Sequence, residues 1–455
     1  MSERSFDVVV LGAGPAGEVC AGRLGGAGLS VALVEPELVG GECSFYACMP
    51  SKALLRPGEA LREVRRVPGA AEAVSGEIDV GAALARRDEV IHDRDDSSQL
   101  PWLEKRGIEL IREHGRLDGE RRVRAGDYVL VAERAVVVAT GTAALIPPIE
   151  GLREAEPWTN REITTAQEAP RRLALLGAGV VGVEMAQAWR SLGSQVALIE
   201  AADRVIAREE PFASDQVAAS LAELGVDLRL GAKATKVSRA QGEVTVELEQ
   251  GPEVIADELV VAVGRRPRTD DLGVDSLGLE PGEAIDVDER LRATGVDGGW
   301  LYAIGDVNGR VLLTHMGKYQ ARIAADVILG KDGRVVSDGP GSPRIIFTDP
   351  QVAAVGHTLQ SAQEAGLDVR ALDVPTSGNA GASFYGRDAP GTVRLVIDES
   401  RGLIVGATFT GTEIADFLHA ATVAVVGEVP LERLAHAVPS FPTRSEVWLN
   451  LLEQV

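Results

Sequence analysis

The 455-residue sequence predicts an α/β fold in which one strand–turn–helix–strand unit is used twice. Three observations carry this. Residues 6–35 (FDVVVLGAGPAGEVCAGRLGGAGLSVALVE) and 171–200 (RRLALLGAGVVGVEMAQAWRSLGSQVALIE) align without a gap at a constant offset of 165. Each copy begins with an apolar strand-like run, passes through GxGxxG and continues as a helical pattern. Each ends in a second apolar run closed by an acid, Glu35 or Glu200, 23 positions beyond its first glycine.

The elements of each copy have separate physical reasons. The first glycine, Gly12 or Gly177, permits the tight turn out of the strand. The second, Gly14 or Gly179, lets backbone approach a pyrophosphate, and the third, Gly17 or Gly182, allows the helix to pack closely on the strand. A diphosphate would sit on the helix N-terminus, where free N–H groups favour negative charge. The terminal carboxylate can accept both hydroxyls of an adenosine ribose and repels a 2′-phosphate. One such motif is a weak signal, whereas two with matching strands, helices and acids indicate two Rossmann-like dinucleotide-binding units.

The bulk composition narrows the class. Hydrophobic residues make up 45% and charged residues 25%, ordinary values for a globular chain long enough for about three domains. The formal charge of −22 disfavours nucleic acid as a partner, because that affinity comes from Lys and Arg displacing counterions. The N-terminus MSERSFDVVVLGAG lacks a basic segment followed by a long apolar stretch, and no apolar run reaches membrane-spanning length. A cytoplasmic, non-membrane protein is expected. Three cysteines at irregular spacing do not make a secreted disulfide framework.

Two further segments end short apolar strands in a glycine turn: AVVVATG, with Thr140 and Gly141, and WLYAIGDV, with Gly305 and Asp306. Asp306 falls at a strand's C-terminal end, where open α/β sheets place ligands. It either binds a polyol such as the ribityl chain of FAD or caps the next turn. Thr314 then opens a helical stretch whose N-terminus suits the charge of a reduced flavin, with His315 at the same end.

Cys43 and Cys48 stand in GGECSFYACMPSK, residues 40–52. On a regular helix, residues five apart are rotated by about 140° and rise about 7.5 Å, which prevents a disulfide. The two can join only if the helix is distorted, and Gly40, Gly41 and Pro50 provide for that. Lys52 and a helix N-terminus nearby would lower a thiol pKa and favour the thiolate. Two inert core cysteines are the bland alternative. A zinc site would need two more ligands, and no His or Cys stands at ligand spacing, so no metal is expected. Cys20 reads as helix packing.

In order and interval, GAGPAG, GGECSFYACMPSK, VVVATG, GAGVVGVE, VAVGRRP (261–267), YAIGDV and IIFTDPQVAAVG (345–356) resemble the pyridine nucleotide-disulfide oxidoreductases, the flavoprotein family of dihydrolipoamide dehydrogenase, glutathione reductase and mercuric reductase. The resemblance spans nearly the whole chain. It implies FAD on the first repeat, in a discontinuous domain of residues 1–153 and 270–337, and NAD on the second, in residues 154–269. Residues 338–455, beyond the link DGPGSPR, would form an α+β dimerisation domain, making a homodimer. Gly41, Lys52, Gly115, Thr140, Gly141, Gly264, Gly305, Asp306, Thr314 and His315 would join the repeat glycines, Glu35 and Glu200 in binding cofactors. Glu184 would lie beside the nicotinamide. Glu200 favours NAD over NADP, although Arg204 and Arg208 downstream could still reach a 2′-phosphate. Cys48 would take the flavin-side role and Cys43 the interchange role, with electrons passing from NADH to FAD, to a Cys43–Cys48 disulfide and on to a small-molecule or protein disulfide.

Two departures qualify that picture. Disulfide reductases of this family usually carry His-Pro-Thr with a Glu five positions after the His, and this stretch is SFPTRSE here. Phe441 replaces the histidine, while Pro442, Thr443 and Glu446 remain. Phenylalanine cannot carry a proton, and a placed acid/base is worth roughly 10² to 10⁴ in rate. His436 upstream is a candidate substitute. The second departure is Phe45-Tyr46 between the cysteines, which either narrows the substrate entrance or fills core. The competing activity is an NADH diaphorase or oxidase that reduces quinones or oxygen directly at the flavin.

Overall fold

The computed structural model describes residues 2–386 and 391–454, and the chain divides into two compact units. The first comprises residues 1–50, 88–145 and 265–338, and the second 51–87, 146–264 and 339–455.

The first unit is built on a sheet that begins with parallel strands. Ile108–Ile111, Val31–Val34, Ser2–Leu11 and Tyr128–Val138 lie in that order, and Leu301–Ala303 pairs parallel with the end of Tyr128–Val138. Arg122–Ala125 and Gly115–Leu117 extend the other end of Tyr128–Val138 as an antiparallel meander. The strands of the first repeat, VVVL and VALV, are buried on both faces, as parallel strands covered by helices must be. Two apolar clusters result. One places Leu24 of the helix Pro15–Gly26 and Ala321 and Ala324 of the helix Thr314–Ile328 over Val8, Val10 and Leu33, and the other lies on the opposite side of the same strands.

The second unit repeats the parallel arrangement with Asp227–Arg229, Gln195–Ile199, Arg172–Leu176 and Glu258–Val261. The helix Val180–Ser191 packs on it, with Trp189 fully buried among Leu54, Leu173 and Leu198. A meander of Ala234–Ala240, Glu243–Leu248 and Val254–Ala256 adjoins it. The C-terminal residues form an antiparallel sheet in the order Arg344–Ile346, Gln351–Gly356, Leu403–Gly411, Thr392–Asp398, Val369–Pro375. Its core contains Phe409, Trp448 and Leu451, so this α+β part carries its own hydrophobic centre.

Asp349 fastens the helix Cys48–Arg66 to this unit. Its buried Oδ2 accepts from Arg62 Nε and Arg66 Nη2, each at 2.7 Å, and its backbone N–H donates to Gln187 Oε1 at 2.8 Å. Removing one partner of a buried ion pair strands the others, at a cost of about 3–5 kcal/mol. Asp349→Ala is therefore expected to lower the unfolding free energy by about that much, measured by urea denaturation of the purified protein.

Candidate active site

The glycine motifs perform three distinct tasks, and the two copies agree almost atom for atom. A Cβ built on Gly12 would stand 2.5 Å from the carbonyl oxygen of Ala139, and one on Gly177 would stand 2.5 Å from that of Ala262. At Gly17 and Gly182 it would fall 1.9 Å from the carbonyl oxygens of Gly12 and Gly177. At Gly14 and Gly179 nothing lies within 4 Å. The first and third glycines are thus consumed by packing, and the second borders an open cradle at a helix N-terminus. That cradle fits the diphosphate of a dinucleotide.

The terminal acids are held alike. Glu35 accepts from the N–H groups of Ala13 at 2.9 Å and Glu37 at 2.8 Å, and Glu200 from those of Ala178 at 2.6 Å and Ala202 at 2.9 Å. Each carboxylate is fixed by one bond per oxygen, leaving lone pairs for ribose hydroxyls. Near Glu200, Arg204 Nη2 donates to the Ala207 carbonyl oxygen at 2.7 Å, and Arg208 is exposed.

In the first unit the cysteines sit on either side of a helix break. The short helix Gly41–Phe45 ends at Tyr46, whose N–H donates to the Glu42 carbonyl oxygen, and a new helix starts at Cys48. Gly41, at φ +58°, backs onto Gly14, where a Cβ would come within 2.8 Å of the Gly14 Cα. The break brings the Cys43 and Cys48 side chains into hydrogen-bonding contact as free thiols, and Cys48 Sγ lies 3.4 Å from Thr314 Oγ1. Phe45 is buried in the core and Tyr46 is half-buried. Cys20 is fully buried, and that burial pushes its thiol pKa up to about 12, as suits packing.

Thr314 is the first residue of the helix Thr314–Ile328, with His315 exposed beside it. Gly305 and Asp306 lie in a short 3-10 turn after Leu301–Ala303. Asp306 accepts from Thr142 Oγ1 at 3.0 Å and caps no helix, and burial raises its carboxyl pKa. Thr140 donates to the Arg268 carbonyl oxygen at 3.0 Å, and Gly141, at φ +71°, has open space where a Cβ would be. Gly264 takes φ +150° after Glu258–Val261. Gly115 opens the strand Gly115–Leu117, over the Leu11 and Val34 side chains.

In the second unit, Lys52 Nζ pairs with Glu184 Oε2 at 2.7 Å and lies 4.9 Å from the centroid of the Phe347 ring. The Glu184 side chain is 3% exposed, and its Oε1 accepts from the Phe347 N–H at 2.9 Å. One expectation about the thiols is corrected for Cys43. Lys52 pairs with Glu184, and Lys318 is a cation that favours the Cys43 thiolate. The Cys43 thiol pKa is raised, not lowered, chiefly because it hydrogen-bonds to Cys48 and is desolvated.

Also in the second unit, Phe441 is 76% exposed, as is the turn bearing His436. Glu446 Oε2 is buried with no hydrogen-bond partner.

Sequence reasoning missed a polar chain that runs through the first unit. Arg265 Nη2 meets Glu42 Oε2 at 2.5 Å, Arg268 Nη2 meets Glu42 Oε1 at 2.7 Å, and Arg265 Nε donates to Thr142 Oγ1 at 2.7 Å. Thr142 in turn donates to Asp306. Gln320 Oε1 also accepts from the Gly305 N–H at 2.7 Å and from Asn308 at 2.9 Å. The only advance signal was the run of arginines in VAVGRRP.

Residues 6–321 match the family described as pyridine nucleotide-disulphide oxidoreductase, and residues 342–452 match its dimerisation domain. The chain belongs to this family. It is 33% identical over 452 residues to the dihydrolipoyl dehydrogenase of Mycobacterium bovis, covering 97% of this chain and 96% of that one. It is 28% identical to a mercuric reductase of Lysinibacillus sphaericus, covering 98% and 82%. Among solved structures, the Cu(II) complex of RclA, an HOCl-induced flavoprotein disulfide reductase from Escherichia coli, superposes with a TM-score of 0.87. That pair shares 26% identity and covers 99% of this chain and all of the other. The α/β fold expected from the sequence is this family's fold. Its members are flavin-dependent NAD(P)H disulfide oxidoreductases that use FAD and a nicotinamide nucleotide. Among the described residues no helix is long and apolar enough to cross a membrane.

The glycine geometry makes a paired prediction. Gly182→Ala forces a Cβ onto a backbone oxygen and is expected to lower the melting temperature markedly. Gly179→Ala is expected to leave melting nearly unchanged while weakening NADH binding by roughly tenfold. Calorimetry and a fluorescence titration separate the two.

Proposed function

We propose that the chain is an FAD-dependent, NADH-preferring disulfide oxidoreductase whose Cys43 and Cys48 cycle between dithiol and disulfide while reducing an external disulfide, on a small molecule or a protein. The observation that carries this is the helix break that joins the two thiols, with Cys48 against Thr314 at the start of its helix. When bound, FAD supplies two-electron exchange between the nicotinamide and the thiols.

The chain's own residues have separable tasks. Gly12, Gly14 and Gly17 seat one diphosphate, with Glu35 for its ribose. Gly177, Gly179 and Gly182 seat the other, and the negative charge of Glu200 supports NAD over NADP. Asp306, held by Thr142, is positioned to bind a polyol. Lys52 and Glu184 hold each other in place for the nicotinamide side. Cys48 carries the thiolate and Cys43 retains the proton until exchange, in which the Cys43 sulfur attacks the substrate disulfide and displaces one thiolate. Cys48 then attacks Cys43, displaces the second thiolate and closes the intramolecular bond. The dimerisation domain supports a homodimer, and a second copy would cover exposed apolar side chains such as Val423, Val438 and Phe441. Residues 1–153 with 270–337, 154–269 and 338–455 serve as the FAD, NAD and dimer domains in this reading.

A second reading, direct reduction of quinones or oxygen, is favoured by one observation. Phe441 offers no proton, and Glu446, which remains, has a buried oxygen with nothing to orient.

Anaerobic titration of the holoenzyme with NADH is expected to take up two electron pairs per subunit, falling to one in Cys43→Ser. Uptake of one pair by the native protein, unchanged in the variant, selects the second reading. Phe441→His places an ionisable ring five positions before Glu446 and is expected to raise dihydrolipoamide turnover by at least roughly tenfold, read as kcat at pH 7.5.

A further inference from the structure

Glu42 stands directly before Cys43 in the short helix Gly41–Phe45 of the first unit, and no step above uses it. Five residues are too few to hold a helix by their own hydrogen bonds, so tertiary tethers decide where Cys43 lies. Gly41 backs onto Gly14, Phe45 is buried, and Glu42 is gripped by two guanidinium groups. Arg265 Nη2 donates to one of its oxygens at 2.5 Å and Arg268 Nη2 to the other at 2.7 Å. The Glu42 side chain is 18% exposed, which shields the clamp from the screening that weakens surface pairs.

Both arginines are themselves fixed. Arg265 opens the strand Arg265–Pro267, which pairs antiparallel with Thr142–Ala144. The Thr142 carbonyl oxygen accepts from Arg265 Nη2 at 2.8 Å and from Arg268 Nε at 3.0 Å, and the Arg268 N–H donates to the Gly141 carbonyl oxygen at 3.0 Å. Thr142 Oγ1 accepts from Arg265 Nε and donates its own hydrogen to Asp306. Glu42 is thus joined to a two-stranded ribbon and, through it, to the carboxylate positioned for a polyol. Cys48 has a support of its own, Thr314 Oγ1 at 3.4 Å. The two thiols hang on separate supports, and the clamp on Glu42 sets one against the other.

We propose that Glu42 is a positioning residue for the redox pair: clamped by Arg265 and Arg268, it holds Cys43 against Cys48 and sets the equilibrium between dithiol and disulfide. The inference rests on the reading that these cysteines cycle. Disulfide geometry is narrow, so the fraction of time that Cys43 spends within reach of Cys48 determines how readily the bond closes. A clamped helix favours the disulfide. A released one spreads Cys43 over more positions and favours the dithiol. The effect is one of position, because removing the acid or removing an arginine releases the same helix.

The test equilibrates the holoenzyme, without nicotinamide, in anaerobic buffers of graded dithiol-to-disulfide ratio, first glutathione and then dithiothreitol. Acid quenching, alkylation with iodoacetamide and peptide mass then count the free thiols. In the exchange the Cys43–Cys48 bond forms as the buffer disulfide breaks, and two electrons and two protons pass to the buffer thiols. Glu42→Gln and Arg268→Gln are each expected to shift the equilibrium about tenfold toward the dithiol, about 30 mV. The double variant is expected to go no further than either single one, since both release one tether. A field acting on the thiolates would instead drive Arg268→Gln toward the disulfide, because that variant removes a positive charge and Glu42→Gln a negative one. Opposite shifts, or unshifted equilibria in both variants, overturn the inference even where the melting temperature falls. If Glu42→Gln does not fold, the direction of the shift in Arg268→Gln decides. A native protein that forms no Cys43–Cys48 bond overturns the cycling reading and this inference with it, whereas a native bond with unshifted variants overturns the inference alone.

Discussion

Two sulfurs five residues apart can meet only where the helix carrying them is broken, and this chain breaks it at Tyr46 and Ala47. Its position is fixed from both sides. Upstream, Gly41 takes a left-handed conformation against Gly14, so the glycine turn of the first motif is also the turn against which the short cysteine helix is set. Downstream, the helix Cys48–Arg66 is anchored in the second unit by Leu54, Leu55 and the Arg62, Arg66 and Asp349 cluster. A side chain at position 41 would therefore disturb nucleotide seating and thiol geometry together.

The same economy appears in how charge is distributed. Lys52 and Glu184 are in direct contact at 2.7 Å, with Glu184 almost wholly desolvated. Paired so closely, each holds the other's position. Glu42 is likewise shared between Arg265 and Arg268, tying the cysteine helix to the segment after residue 264.

The repeat was legible in the sequence because each of its residues obeys a local rule. Glycines at fixed spacing and an acid at a strand end keep their meaning without knowledge of distant neighbours, and both copies folded alike down to the 1.9 Å approach at Gly17 and Gly182. The helix distortion between the cysteines was legible for the same reason. The partners of the lysines were not, because sequence proximity says nothing of Glu184 or Lys318. One helical turn separates Lys52 from Cys48, but its partner Glu184 lies 132 positions away and Lys318 is more distant still from the cysteines. The bond from Arg265 to Glu42 spans 223 positions. No periodicity carries such information, since these pairs are set by the packing of separate elements.

Phe441, standing where the family resemblance expects a histidine, leaves its neighbours in need of their own physical account. Glu446 keeps its place near the end of the chain, yet one of its oxygens is buried without a hydrogen-bond donor. Such a group costs stability unless something satisfies it. A carboxylate in that condition is well placed to accept a bond from a donor that arrives with assembly or with substrate, and an imidazole installed at 441 would be one such donor. The aromatic ring, 76% exposed, contributes apolar surface where a proton-bearing group would contribute chemistry.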